Sequence, residues 1–146
     1  MKSVSLLLAL LCTGLFASSL RAEEGVTVTV TVTNIPGAKG NLLVGLYNSE
    51  KTFLKKPYKN SPKIPVTGTG NITATIENVV PGTYAISVIQ DLNKNGKLDK
   101  SLIGMPKEPL AFSVIKEIPR GRPKFAPCSF QVGEEDVAMT ISLVTE

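Results

Sequence analysis

Apolar and polar residues alternate strictly through much of this chain, and that period constrains the fold more than any other feature. Val26, Val28, Val30 and Val32 alternate with four threonines. Successive side chains of a strand point to opposite faces, so this segment presents one apolar face and one polar face. Leu42, Val44 and Leu46 repeat the pattern, as do Ile72, Ala74 and Ile76. Tyr84, Ile86 and Val88 mark another strand, which runs directly into Asp91. The last carries Val137, Met139, Ile141 and Leu143 against Ala138, Thr140 and Ser142. Shorter strands are expected over Leu110–Val114 and Cys128–Val132.

No segment beyond the N-terminal leader keeps a helical period over three turns. The 12 Gly and 10 Pro fall mostly between the alternating runs, where turns require them. About seven short strands in one small domain imply an all-β fold. The expected architecture is a single β-sandwich, immunoglobulin-like or transthyretin-like. The stretch from Glu50 to Pro65, with its five lysines, is expected to be a crossing loop carrying a helical turn.

Residues 1–22 read as an export signal. Lys2 supplies the positive start, Val4 to Phe16 the apolar run, and Ala17-Ser18-Ser19 opens a small-residue region. Cleavage is expected after Ser19 or Ala22, leaving residues 23–146 as one periplasmic or secreted domain. The apolar run is too short to span a bilayer, so the chain is not expected to be membrane-spanning. Loss of Lys2 and Arg21 reduces the 16 basic residues to 14, against 12 acidic, a net charge of about +2. That balance gives no electrostatic reason to expect a nucleic-acid partner. Cys12 leaves with the leader, so Cys128 is the one remaining cysteine and no intrachain disulfide can form. Its place in an alternation with Phe130 and Val132 predicts a buried, inert thiol.

The stretch Asp91-Leu92-Asn93-Lys94-Asn95-Gly96-Lys97-Leu98-Asp99 sets side-chain oxygens at relative positions 1, 3, 5 and 9. Gly96 at position 6 permits the sharp turn that aims them at one point. Asp91, Asn93, Asn95 and Asp99 are the expected side-chain ligands of a Ca2+ ion, with Asp99 acting directly or through water. Lys97 would add its backbone carbonyl. The bidentate Glu of the helix–loop–helix version is absent, since position 12 is Leu102. Glu108, beyond Pro106, is a candidate for the missing carboxylate. Two certain charges predict a weak site, with a dissociation constant of about 10⁻⁴ to 10⁻³ M. The competing reading is a polar turn in which Asp and Asn bond their own backbone.

Pro81-Gly82-Thr83-Tyr84 opens the strand before this loop. The spacing resembles the tyrosine corner of immunoglobulin-like sandwiches, and the Pro-Gly-x-Tyr segment is similar to that of transthyretin-like modules. Tyr84 is therefore expected to be structural, bonding backbone across a crossover.

With these residues in view, the chain resembles an exported bacterial family known as domain of unknown function 2141. The resemblance runs through Gly40-Asn41-Leu42-Leu43-Val44-Gly45-Leu46-Tyr47, Gly82-Thr83-Tyr84 and the Asp91–Asp99 loop. It continues through Gly104-Met105-Pro106-Lys107-Glu108, Phe112-Ser113, Pro123-x-Phe125 and Phe130-x-Val132. The chain departs from it at Leu110-Ala111, where the resemblance implies an aromatic–glycine pair. It implies a fold and an exported location but no activity. The loop by itself is similar to calcium-staple loops of surface-adhesin and thrombospondin-type modules.

The chain contains no histidine. That excludes serine–histidine and cysteine–histidine nucleophile systems and histidine-ligated zinc. No phosphate-cradling glycine loop of recognised spacing occurs, and Asp91 and Asp99 share one turn rather than facing each other across a cleft. The basic runs Lys51, Lys55, Lys56, Lys59, Lys63 and Lys116, Arg120, Arg122, Lys124 are expected to be solvated loops. The alternative is a surface for anionic glycan or lipid. The reading that results is a non-enzymatic binding or structural module of the cell envelope with an unidentified envelope or extracellular partner. The second choice is a soluble periplasmic carrier of a small ligand between the two sheets.

Overall fold

The valine–threonine alternation becomes β1 (Val26–Thr33), the middle strand of a three-stranded sheet. The structure is a computed structural model that describes residues 25–145. The expected leader, with Lys2 and Cys12, lies outside the described residues. All four valines of β1 are buried and the alternate threonines half-buried, as the period requires. β1 pairs antiparallel with β5 (Ile72–Val79) and parallel with β9 (Val137–Ser142). Parallel neighbours cannot be joined by a hairpin, and here the whole second sheet intervenes in sequence.

That second sheet is built on β2 (Asn41–Tyr47) and β6 (Gly82–Asp91), antiparallel from Asn41–Asp91 to Tyr47–Ala85. Two short strands, β3 (Lys59–Asn60) and β4 (Ile64–Pro65), share the free edge of β2. They lie inside the stretch expected to be a crossing loop. The free edge of β6 is likewise shared by β7 (Leu110–Phe112) and β8 (Ser129–Val132). Nine strands thus occupy seven positions in two sheets, a β-sandwich of the expected width.

Between the sheets, Val28, Val30, Val32, Leu42, Leu46 and Ile86 are fully buried. Each removes apolar surface from water and contributes about 1.5–3 kcal/mol. These side chains belong to one hydrophobic cluster that draws on both sheets. Gln90 continues the inward row of β6 at its far end and donates to the carbonyls of Gly37 (2.8 Å) and Lys39 (2.9 Å). At the opposite end Tyr84 Oη donates to the Val80 carbonyl at 2.9 Å, pinning the turn at Pro81-Gly82.

The second sheet is apolar on both faces. Its outer face carries Tyr47, Ala85, Leu110 and Phe112, which pack with Phe53 and Cys128 into a separate cluster. This explains why Tyr84 to Val88 are all buried, where one-sided burial would expose every second residue. Cys128 corrects one expectation. It ends a single helical turn, α1 (Phe125–Cys128), and the strand starts only at Ser129. Its side chain therefore joins the outer cluster while Phe130 and Val132 face the inter-sheet core. Burial, and then the negative charge of Glu50, push the thiol pKa up.

Candidate ligand-binding cleft

The outer cluster is assembled from chain segments that leave the sheet and return over it. After β2, Phe53 N–H bonds the Ser49 carbonyl and Lys56 N–H that of Thr52, both at 3.0 Å, giving the expected helical turn. The turn drives Phe53 inward, edge-on to Tyr47, Phe112 and Phe125 at centroid distances of 5.2, 6.2 and 5.8 Å. Leu54 then takes φ 57°, an uncommon left-handed conformation for a branched residue, and adds its side chain to this face. The segment after β7 is tied on by two long-range bonds. Phe125 N–H donates to Glu50 Oε2 at 2.8 Å, and Arg122 Nη2 donates to the Phe53 carbonyl at 2.7 Å.

These segments and the loop after β6 surround a cleft of 1120 Å³ over the outer face of the second sheet. Leu43, Ile89, Leu110 and Phe112 form an apolar floor, with the Tyr47 and Ser87 hydroxyls 3.3 Å apart within it. Gly45 leaves room on that floor for the Tyr47 ring. A Cβ there would stand 3.2 Å from Tyr47 Oη, so a larger residue would crowd the phenol where it lies across the strand. Lys55 and Lys63 reach the rim from one side, and Lys116 and Arg120 from another. The two basic runs, expected as separate solvated loops, thus meet at one opening. Lys59 is not among them; its ammonium donates to the carbonyls of Glu77 and Asn78.

The Asp91–Asp99 loop forms a third wall through Gly96, Lys97 and Leu98. Its start is fixed by Gly40 (φ 78°), where a Cβ would come within 2.1 Å of the Asp91 carbonyl oxygen. Asp91 is the last residue of β6 and is buried. Its carboxylate accepts from Asn95 N–H (3.1 Å) and Gly96 N–H (2.7 Å). Gly96 turns with φ 78°, as the sharp bend requires. Asn93 and Asn95 direct their amide nitrogens at the two oxygens of Asp99. Lys97 N–H donates to Asn95 Oδ1 at 2.9 Å. Asn93 and Asn95 thus meet at Asp99, while the Asp91 carboxylate is taken up by the Asn95 and Gly96 amides. Among the described residues, no group of three or more Asp, Glu or Cys is placed to hold a metal. Glu108 does approach, yet its oxygens accept from Leu92 N–H (2.9 Å) and Asp99 N–H (3.0 Å). It staples the two ends of the loop together.

The chain then makes a tight hairpin. Lys107 N–H bonds the Asp99 carbonyl, Gly104 N–H that of Ser101, and Met105 N–H the Ser101 hydroxyl. Leu102 and Ile103 stand at its tip, 108% and 82% exposed, and Ile103 and Met105 border the cleft. Single-face alternation does not reveal this site, because Leu43, Ser87 and Ile89 lie on the face that a simple sandwich gives to water. The sequence signal that marks it is the unbroken burial-prone run in β6.

The family model described as an uncharacterized protein conserved in bacteria, domain of unknown function 2141, matches residues 30–140. The chain belongs to this family. The match begins within β1, ends within β9, and spans the Asp91–Asp99 loop and every residue of the cleft named so far. No curated protein matches the chain, and neither does any solved structure. Among the described residues no helix is long and apolar enough to cross a membrane.

Proposed function

We propose that this 2141 domain is an exported, non-enzymatic binding module of the bacterial envelope and that the outer-face cleft holds its ligand. The observation that carries the reading is the cleft itself, with its apolar floor and the convergence of two basic loops on its rim. Pockets that hold small molecules are concave, mostly apolar and marked by a few placed polar groups. Export rests on the leader pattern of Lys2, Val4–Phe16 and Ala17-Ser18-Ser19. A non-enzymatic role is supported by the cleft lining, in which Glu117 is the one carboxylate. Acid–base hydrolysis of the glycosidase kind needs two.

A second element of the reading is a weak Ca2+ site in the loop that walls the cleft. It is favoured by the oxygen spacing of Asp91, Asn93, Asn95 and Asp99 and by the meeting of the two asparagines at Asp99. Rotating the Asn93 and Asn95 amides would turn their oxygens toward the Asp99 carboxylate, repulsive alone and favourable around a cation. In that state the cation stiffens the wall and sharpens the cleft.

Native mass spectrometry of the protein taken from the bacterial envelope tests the binding role. The expected result is a processed chain carrying a small-molecule adduct, absent when Leu43→Trp fills the floor. Full-length protein in the cytoplasm defeats the export reading. An adduct that survives Leu43→Trp, or none in either protein, defeats the cleft.

A further inference from the structure

We infer that the cleft takes a single-tailed anionic amphiphile, its tail on the floor and its phosphate or carboxylate head among the rim cations. The inference rests on the binding reading above and names its ligand class. Three loops bring cations to one opening: Lys55 and Lys63, then Lys97 and Lys100, then Lys116 and Arg120. Arg122 also lines it, but its guanidinium is committed to the Phe53 carbonyl. Glu117 alone opposes them. With residues 1–22 removed the chain is only about +2, so this concentration of one sign is a property of the cleft and not of the composition. Cations around a low-dielectric recess focus their field on its mouth.

The floor decides what else the ligand must be. Leu43, Ile89 and Leu110 offer hydrocarbon, joined by Leu98 and Ile118 from the surrounding loops, and the hydroxyls of Tyr47 and Ser87 lie within reach of each other. A glycan needs many hydrogen-bonding partners, and this floor offers few, chiefly Tyr47, Ser87 and Asn60. A nucleobase needs a free aromatic face, whereas Tyr47 and Phe112 are edge-packed on Phe53. A hydrocarbon tail needs only apolar surface. The volume, 1120 Å³, exceeds the roughly 300–1,000 Å³ of ordinary small-molecule clefts and leaves room for a long tail. The apolar surface also continues outward through Ile103 to Leu102, held in water by a hydrogen-bonded turn. Such a lip gives a tail a path into the cleft from a micelle or a membrane.

The test is calorimetric titration of the protein, in the form the expressing cell delivers, with dodecyl phosphate below its micellar concentration. Dodecyl glucoside and inorganic phosphate serve as the tail-only and head-only probes. Dodecyl phosphate should bind at least about tenfold more tightly than either, with affinity falling as salt rises. Lys55→Gln/Lys116→Gln/Arg120→Gln, at exposed positions, should weaken dodecyl phosphate by about tenfold or more and leave dodecyl glucoside unchanged. Leu43→Trp should abolish binding of both tailed probes. Equal binding of dodecyl glucoside, lost in Leu43→Trp, overturns the anionic head but keeps the cleft. No binding of either tailed probe overturns this inference, and the adduct in native mass spectrometry then decides whether the cleft reading survives. Cosedimentation with anionic vesicles that is lost in Leu102→Ser/Ile103→Ser, without binding of free dodecyl phosphate, assigns the surface to membrane docking instead. A dimer that Leu43→Trp dissociates assigns the cleft to a second copy of the chain.

Discussion

Arg122 donates from Nη2 to the backbone carbonyl of Phe53 at 2.7 Å, joining residues 69 positions apart. The bond ties the segment after β7 to the helical turn after β2, and both segments line the cleft. Arg122→Met should cost about 1 kcal/mol, the net worth of one such bond. Hydrogen exchange should speed up across residues 113–125 while the β-type circular dichroism spectrum stays unchanged. Unaltered exchange there would show that the Phe53–Phe125 ring contact suffices.

Glu108 is buried and serves two amides, so one oxygen cannot replace its carboxylate. Glu108→Gln leaves either Leu92 N–H or Asp99 N–H without its charged acceptor, a loss of about 1.5–3 kcal/mol. Thermal unfolding measures the loss. The variant should also weaken any response to Ca2+, because the ends of the loop are no longer clamped.

Val114 adopts φ 69° at the centre of a three-residue turn in which Ile115 N–H bonds the Ser113 carbonyl at 2.8 Å. A β-branched residue is strained in that turn, and its side chain is exposed, so nothing is lost by removing it. Val114→Gly should stabilise the fold by about 1 kcal/mol, the strain relieved less the backbone entropy of glycine. A lower melting temperature would show that the side chain is held by contacts worth more than the strain.

Cys128 should resist iodoacetamide in the folded protein and react promptly in denaturant, since the thiol is buried and its pKa is raised. The folded state holds the proton more tightly than the unfolded chain does. This contribution is intact below the ordinary thiol value of 9.0 and is lost as pH rises through the higher folded value. Stability should therefore fall in alkaline solution, and less so in Cys128→Ala. Identical alkaline melting profiles for the two proteins would remove the thiol from the account.

Ca2+ at about 10 mM should stabilise the fold by about 1.4 kcal/mol if the site binds near 1 mM, by mass action. Magnesium should do less, because it demands octahedral geometry and releases water reluctantly. Asp99→Ala is the cleaner probe, since Asp91 also caps the amides of Asn95 and Gly96 and its loss destabilises the loop without any metal. A melting temperature indifferent to Ca2+, with no heat on direct titration, would leave the loop as a self-bonded polar turn.

The local period of the chain determined its strands. Val26 to Val32 can bury one face only as a strand, and the same arithmetic placed β2, β5, β6 and β9. The bond from Tyr84 to the Val80 carbonyl and the self-bonded turn from Asp91 to Asp99 join neighbours in sequence, so both lie within reach of a local reading. Alternation misassigned Cys128, since one turn of helix before Ser129 reverses the face without changing the pattern of residue types. It also could not show that β1 lies parallel to β9, a pairing that depends on the path of everything between them. The cleft was decided by tertiary structure alone. Its floor is the face of the second sheet that a one-sided pattern assigns to water, and its rim comes from loops joined by Arg122–Phe53 and Glu50–Phe125. Contacts across 69 and 75 residues leave no period to read, because they form only after the sheet beneath them exists.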